Sequence, residues 1–278
     1  MAEITAALVK SFREKTGLPM MECKKALTEA NGDEDAAMKI LREKGKIKLQ
    51  EKGAERTTEE GAIVVFSNDK GTAMVELLCE SAPVAGHDEF LQLASNIAEA
   101  YLNNGGETVE DVMKLASPGK PGMTLQDQLD ELYNRIREVF RVSRFVRILG
   151  NSAYYVHHNR KVGVLVETEG SNPEAAKDIC MHVAAMHPEV LDRSKISEER
   201  IASERDIMQK ALANDPKNAG KPANILEKII DGQINAFFKQ VCLVDQEFVK
   251  EPKLSVGAFA KQSGIALKNY TYWVLGAK

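Results

Sequence analysis

Reactive and structural motifs are what this 278-residue chain most conspicuously lacks. Its four cysteines, Cys23, Cys79, Cys180 and Cys242, are far apart and form no CxxC pair, which excludes a zinc knuckle and a dithiol redox motif. Each lies in an apolar context and reads as a buried, reduced thiol. There is no GxxxxGK[ST] loop, no GxGxxG and no HExxH, so neither a phosphate cradle nor a zinc protease site is written here. Gly150-Asn151-Ser152 begins like a nucleophile elbow, but Tyr154 stands where the tight turn needs its second glycine. His182 and His187 are about 140° apart around a helix and cannot readily share a metal; they read as helix-end or surface residues. His157-His158 closes a strand, where neighbours face opposite sides. No enzyme, cofactor or metal site is therefore expected.

The formal net charge is only -4, and no Lys/Arg stripe is interleaved with aromatics, so direct nucleic-acid binding is not expected. No apolar run approaches secretory or membrane-spanning length; the expected address is cytoplasmic, without a membrane partner.

What is present is a set of well-punctuated elements. Ile4 and Val9 can staple a helix capped by Thr5 and ended by Gly17. Pro19 starts a second helix with Cys23, Ala26, Leu27 and Ala30 inward, and Asn31-Gly32 stops it. Asp33 caps a third, with Ala37, Ile40 and Leu41 inward and Gly45 closing it, before a charged helical extension over Lys46 to Lys52.

The period then becomes strand-like: Ala62 to Phe66, a Ser67–Gly71 turn, and Thr72 to Glu80. A helix from about Asp88 carries Phe90, Ala94, Ile97 and Tyr101 on one stripe. Thr124 to Asp127 starts another helix, with Leu125, Leu129, Leu132 and Ile136 buried, and Arg141 to Ile148 returns as a strand. The order strand, strand, helix recurs over 153–158, 161–167 and the Ala176, Ile179, Cys180, Val183 face. From Ser197 to Lys239 two helical stretches flank a breaker over Asn214 to Pro222, which predicts a protruding helical hairpin. A short helix and a last strand, Asn269 to Leu275, follow.

The segment from Phe12 to Leu27, FREKTGLPMMECKKAL, closely resembles the amino-terminal signature of the elongation factor Ts family, and Glu29–Asp33 with Leu41–Gly45 extend the likeness. His158 to Val166, Gln246 to Pro252 and Ser255-Val256-Gly257 resemble later parts of that family. The resemblance implies an α+β fold: an N-terminal three-helix ubiquitin-associated-like domain, a core of two similar strand-strand-helix halves, and an inserted helical hairpin. Boundaries are expected at 1–52 for the three-helix domain, 53–61 for a linker, and 62–148 for the first core half. The second half takes 149–196 and 240–278, around a hairpin at 197–239 that serves dimerisation in some members, so a homodimer through it is an expectation.

The implied function is that of a translation factor that binds elongation factor Tu carrying GDP and promotes its release and exchange for GTP. Arg13, Met20, Met21 and Lys24 match residues that dock on the partner's nucleotide-binding domain, Ile136 matches a contact on the long helix, and His158 matches a histidine near the partner's phosphate loop. Where the family carries Thr-Asp-Phe-Val, whose aromatic wedges toward the partner's magnesium, this chain has Ser81, Ala82, Pro83 and Val84. Where many relatives have Ile-Gly it has Ile136-Arg137. No extra carboxy-terminal helix is expected after the last strand. The changed loop supports an alternative: a stabiliser that binds elongation factor Tu with weak exchange.

Overall fold

The computed structural model describes residues 4–53, 56–215, 218 and 221–277, without the side chains of 45–53. Residues 54–55 of the expected linker and 216, 217, 219 and 220 of the expected interhelical breaker lie outside the described residues. The chain divides into two compact units, Met1–Gly150 with Val156–Val162 and Val274–Lys278, and Asn151–Tyr155 with Gly163–Trp273.

The first unit opens with three helices whose ends follow from capping chemistry. In α1 (Ala6–Thr16) the Thr5 hydroxyl accepts the Leu8 N–H at 3.2 Å, and Gly17 supplies the left-handed exit at φ 67°. Ile4 and Val9 pack in the same cluster, which fixes the entry of the chain. Pro19 is the cap of α2 (Met20–Glu29), one residue earlier than its fixed φ suggests from sequence. Asp33 starts α3 (Glu34–Gly53) by accepting the Ala36 N–H at 3.0 Å. Gly45 does not end α3; the backbone stays helical to Gly53. One interior glycine costs about 1 kcal/mol, too little to stop a helix with a packing surface beside it. Phe12, Leu18, Cys23, Ala26, Leu27, Ala37 and Leu41 form the small core among these helices.

The rest of that unit is a sheet with helices on it. Strands β1 (Glu60–Asn68) and β2 (Gly71–Cys79) form an antiparallel hairpin. Next come α4 (Ala82–Ala85), α5 (Asp88–Asn104), α6 (Val109–Met113) and α7 (Leu125–Ile136), and then β3 (Arg141–Leu149), which pairs antiparallel with β2. Thr108–Asp111 and Thr124–Asp127 each make a reciprocal capping box, which starts α6 and α7. Helix α5 lies on β1 and β2, burying Phe90, Leu93, Ala94, Ile97 and Ala98 against Val75, Leu77 and Cys79, and α3 lies along α7. The sequence stripe found α5 and α7; α6 is too short to show a period.

A carboxylate sits in the middle of this sheet. Glu76 of β2 is buried and faces Arg144 of β3 across the ladder. One of its oxygens accepts from Arg144 Nη2 at 2.8 Å and from the Gly276 N–H at 3.3 Å, while the same Nη2 also donates to the Val274 carbonyl at 2.6 Å.

The second unit repeats the strand order. Strands β4 (Ser152–Val156) and β5 (Val162–Glu169) are followed by α8 (Pro173–Met186), then by the hairpin α9 (Glu198–Asn214) and α10 (Ala223–Val241). A short ladder, β6 (Glu247–Phe248) with β7 (Glu251–Ser255), precedes α11 (Val256–Gln262) and β8 (Ala266–Val274). The sheets run β1-β2-β3 and β4-β5-β8, so each adds a late strand to the second member of a hairpin. The β6–β7 ladder was not anticipated, being too short for alternation to register. In the α9–α10 hairpin Leu212 packs with Ile230, Ile234 and Phe238, while Ile207 and Ile225 remain exposed.

His182 corrects the expectation of a surface histidine, for it is buried. Its Nδ1 accepts the Val249 N–H at 3.3 Å, which leaves Nε2 protonated to donate to Gln246 Oε1 at 2.9 Å. Burial pushes its pKa below the ordinary 6.5, opposed by the Gln246 bond. Between the folded and unfolded values the unfolded chain binds more protons, so stability rises with pH there; it is complete above about 6.5 and declines as pH falls through 6.5 toward the folded value. The melting temperature is expected to drop more steeply from about pH 7 to 5 in the parent than in His182→Gln, as followed by circular dichroism. Parallel curves would contradict that role.

Candidate partner-binding site

The helix-turn residues singled out from the sequence are each exposed on the N-terminal helices. Arg13 is exposed in the last turn of α1, and Lys24 is exposed on α2. Met20 and Met21, at the start of α2, are 50% and 64% exposed. Two adjacent exposed methionines are unusual because a thioether is normally spent on filling a core. Here Phe12, Leu18, Cys23 and Leu27 already fill it.

Ser81 to Val84 are not a loop but the start of a single helical turn. Ser81, in extended conformation, precedes α4 with Pro83 in its first positions, where a missing N–H costs nothing. Ala82 and Pro83 are exposed, whereas Val84 packs on the core of the first sheet. Ile136 also leans on that core, so only part of its surface is open. Four residues carry too little pattern to distinguish such a turn from a strand exit.

A chain of polar contacts joins these two patches. Glu22, next to Met21, accepts from Arg137 Nη2 at 2.6 Å. The Arg137 carbonyl accepts from Arg56 Nη1 at 3.2 Å, and the same Nη1 donates to Glu80 at 3.0 Å. Glu80 also accepts the Val139 N–H at 2.7 Å. Between them, Glu138 takes both the Ser81 N–H, at 3.1 Å, and the Ser81 hydroxyl, at 2.6 Å. Residues 137–139 therefore address α2 on one side and the β2–α4 junction on the other. Nothing in the sequence pattern marks Glu22, Arg56, Glu80 or Glu138 as parts of one network, because their contacts depend on the backbone path after α7.

The hairpin turn that carries His158 reaches the same end of the sheet. Lys161 Nζ contacts Glu60 at 2.9 Å, and Glu60 is the ladder partner of Cys79, two residues before Ser81. The Arg160 carbonyl accepts the Ile63 N–H at 2.8 Å. His158 is exposed at this turn, its ring 4.2 Å from that of His157. Arg160, at φ 57°, makes the tight turn that the Asn159-Arg160 pair suggested.

Burial, reinforced by the Glu138 charge, pushes the Cys79 thiol up to about 12, and its S–H donates to the Ser81 carbonyl at 3.3 Å. Such a thiol is not a nucleophile at neutral pH. Among the described residues no group of three or more His, Cys, Asp or Glu side chains is placed to hold a metal ion, and no helix is long and apolar enough to cross a membrane.

A family model described as Elongation factor TS matches residues 83–277, more than two thirds of the chain. The chain belongs to the elongation factor TS family. The match begins at Pro83, inside the α4 turn, and runs through β3, the second sheet and the helical hairpin, whereas β1 and β2 precede it. The mixed helix-and-sheet architecture and the three-helix amino-terminal segment agree with the α+β fold expected of an elongation factor TS member. Arg13, Met20, Met21 and Lys24 precede the matched segment, so the match says nothing of them. Membership makes the protein a translation elongation factor by family.

Proposed function

We propose that this protein binds elongation factor Tu and promotes release of its GDP, making way for GTP without making or breaking a bond itself. The observation that carries the reading is the pairing of exposed Met20 and Met21 with the exposed Ala82–Pro83 turn through the Glu22–Arg137–Glu138–Ser81 contacts. Two exposed apolar patches joined by such contacts suit a partner that is gripped at two points. Exchange then follows from differential affinity: a protein that holds the nucleotide-free partner more tightly than the GDP-bound one weakens GDP by the same factor. GDP is held by backbone N–H groups of a phosphate loop and by a magnesium ion, so a displacement of either suffices.

The test is stopped-flow release of fluorescent GDP from elongation factor Tu. Acceleration of at least about tenfold, or roughly 1.4 kcal/mol off the barrier, is the expected result. Binding with no acceleration would favour a stabiliser of the partner, a second reading supported by the absence of ring and carboxylate at Ala82 and Pro83. A lack of any binding would dispose of both. We also assign self-association to the α9–α10 hairpin, on which the large apolar side chains of Ile207 and Ile225 are exposed.

A further inference from the structure

We infer that Arg137 is the positioning residue that holds α2, with Met20 and Met21, at a fixed place relative to the α4 turn; its consequence for exchange rests on the function proposed above, its geometry does not. The backbone at Arg137, the cap of α7, is left-handed at φ 68° and ψ 22°. Glycine takes such a position at no steric cost, whereas any side chain crowds the adjacent carbonyl. From that position the arginine side chain reaches Glu22 at 2.6 Å, a contact that a glycine would forgo.

Three further contacts make the end of α7 a pivot. Two residues earlier, Arg135 passes beneath the α1–α2 turn so closely that a methyl group on Gly17 would stand 3.1 Å from its Cδ. Arg135 is itself held by a two-point pairing with Glu89 of α5. One residue later, Glu138 grips Ser81 through its N–H and hydroxyl. The short segment 135–138 thus touches the N-terminal helices twice and the start of α4 once. Both members of the Glu22–Arg137 pair are about one third exposed, so solvent screens it; its effect is on orientation far more than on overall stability.

The experiment measures orientation directly. Cysteines introduced at exposed Lys25 and Asp69 would carry spin labels in the full chain, the four native thiols being buried. Pulsed dipolar spectroscopy is expected to give a narrow distance distribution in the parent, a broad one in Arg137→Gly, and a narrow one again in the charge swap Glu22→Arg with Arg137→Glu. Arg137→Gly suits the left-handed backbone, so loss of fold does not confuse the result. The factor concentration giving half-maximal GDP release should rise about two- to fivefold in Arg137→Gly, with the maximal rate kept, and recover in the swap. An unchanged distribution in Arg137→Gly overturns the inference, and so does a broadening that the swap leaves in place. If the parent fails to release GDP at all, the proposed function falls while the distance result still decides the role of Arg137.

Discussion

Replacing Met20 and Met21 together by alanine is expected to weaken binding to elongation factor Tu by roughly thirtyfold. Complete burial of a methionine side chain is worth about 1.5–3 kcal/mol, and these two residues are still half or more open to solvent. A partner that covers them gains about 1 kcal/mol from each, or about 2 kcal/mol together, which corresponds to the thirtyfold figure. The fold should not notice the change, since neither side chain belongs to the core formed by Phe12, Cys23 and Leu27. Calorimetric titration of the nucleotide-free partner measures the loss, and circular dichroism checks the helices. An affinity equal to that of the parent would remove α2 from the contact surface.

The second large effect runs in the opposite direction. Ala82→Asp combined with Pro83→Phe is expected to raise the rate of GDP release at saturating factor by about tenfold, or roughly 1.4 kcal/mol in the barrier. Both positions are exposed at the start of α4, so the new groups have room. An aspartate there meets the unpaired N–H groups of the first turn, and a phenyl ring offers an aromatic surface that Pro83 lacks. A slower rate would mean that the partner is fitted to a proline-bearing turn, which still places α4 at the interface. An unaltered rate would take the turn away from the partner's metal site and leave exchange to α2 and His158.

Much of the architecture was legible because local chemistry and global packing agree along this chain. Thr5 and Gly17 bound α1 as their residue types demand, and Leu125, Leu129 and Leu132 mark the buried face of α7. Cys23, Cys79, Cys180 and Cys242 are indeed buried thiols. His182 was misread although the signal was present: it lies on the same helical face as Ile179 and Val183, both fully buried, and Gln246 supplies the polar partner that lets an imidazole follow them inward.

The candidate surface was harder to see. Exposure of Met20 and Met21 depends on how many other apolar groups the three helices supply, which a periodic pattern does not count. The α4 turn is four residues long, below any period. The left-handed backbone at Arg137 is decided by where the chain must go next, to the Val139–Phe140 core, and no property of arginine announces it.

The buried Glu76 ties the beginning of the molecule to its end in time as well as in space. A ribosome delivers β1, β2 and β3 long before residues 274–276, yet Glu76 draws one of its hydrogen bonds from the Gly276 amide, two hundred positions later. Arg144 arrives with β3 and meets the carboxylate early, but its own guanidinium waits for the Val274 carbonyl. During synthesis the ion pair at the centre of the first sheet can therefore form with β3, while the hydrogen bonds to the Val274 carbonyl and from the Gly276 amide wait for those residues to emerge.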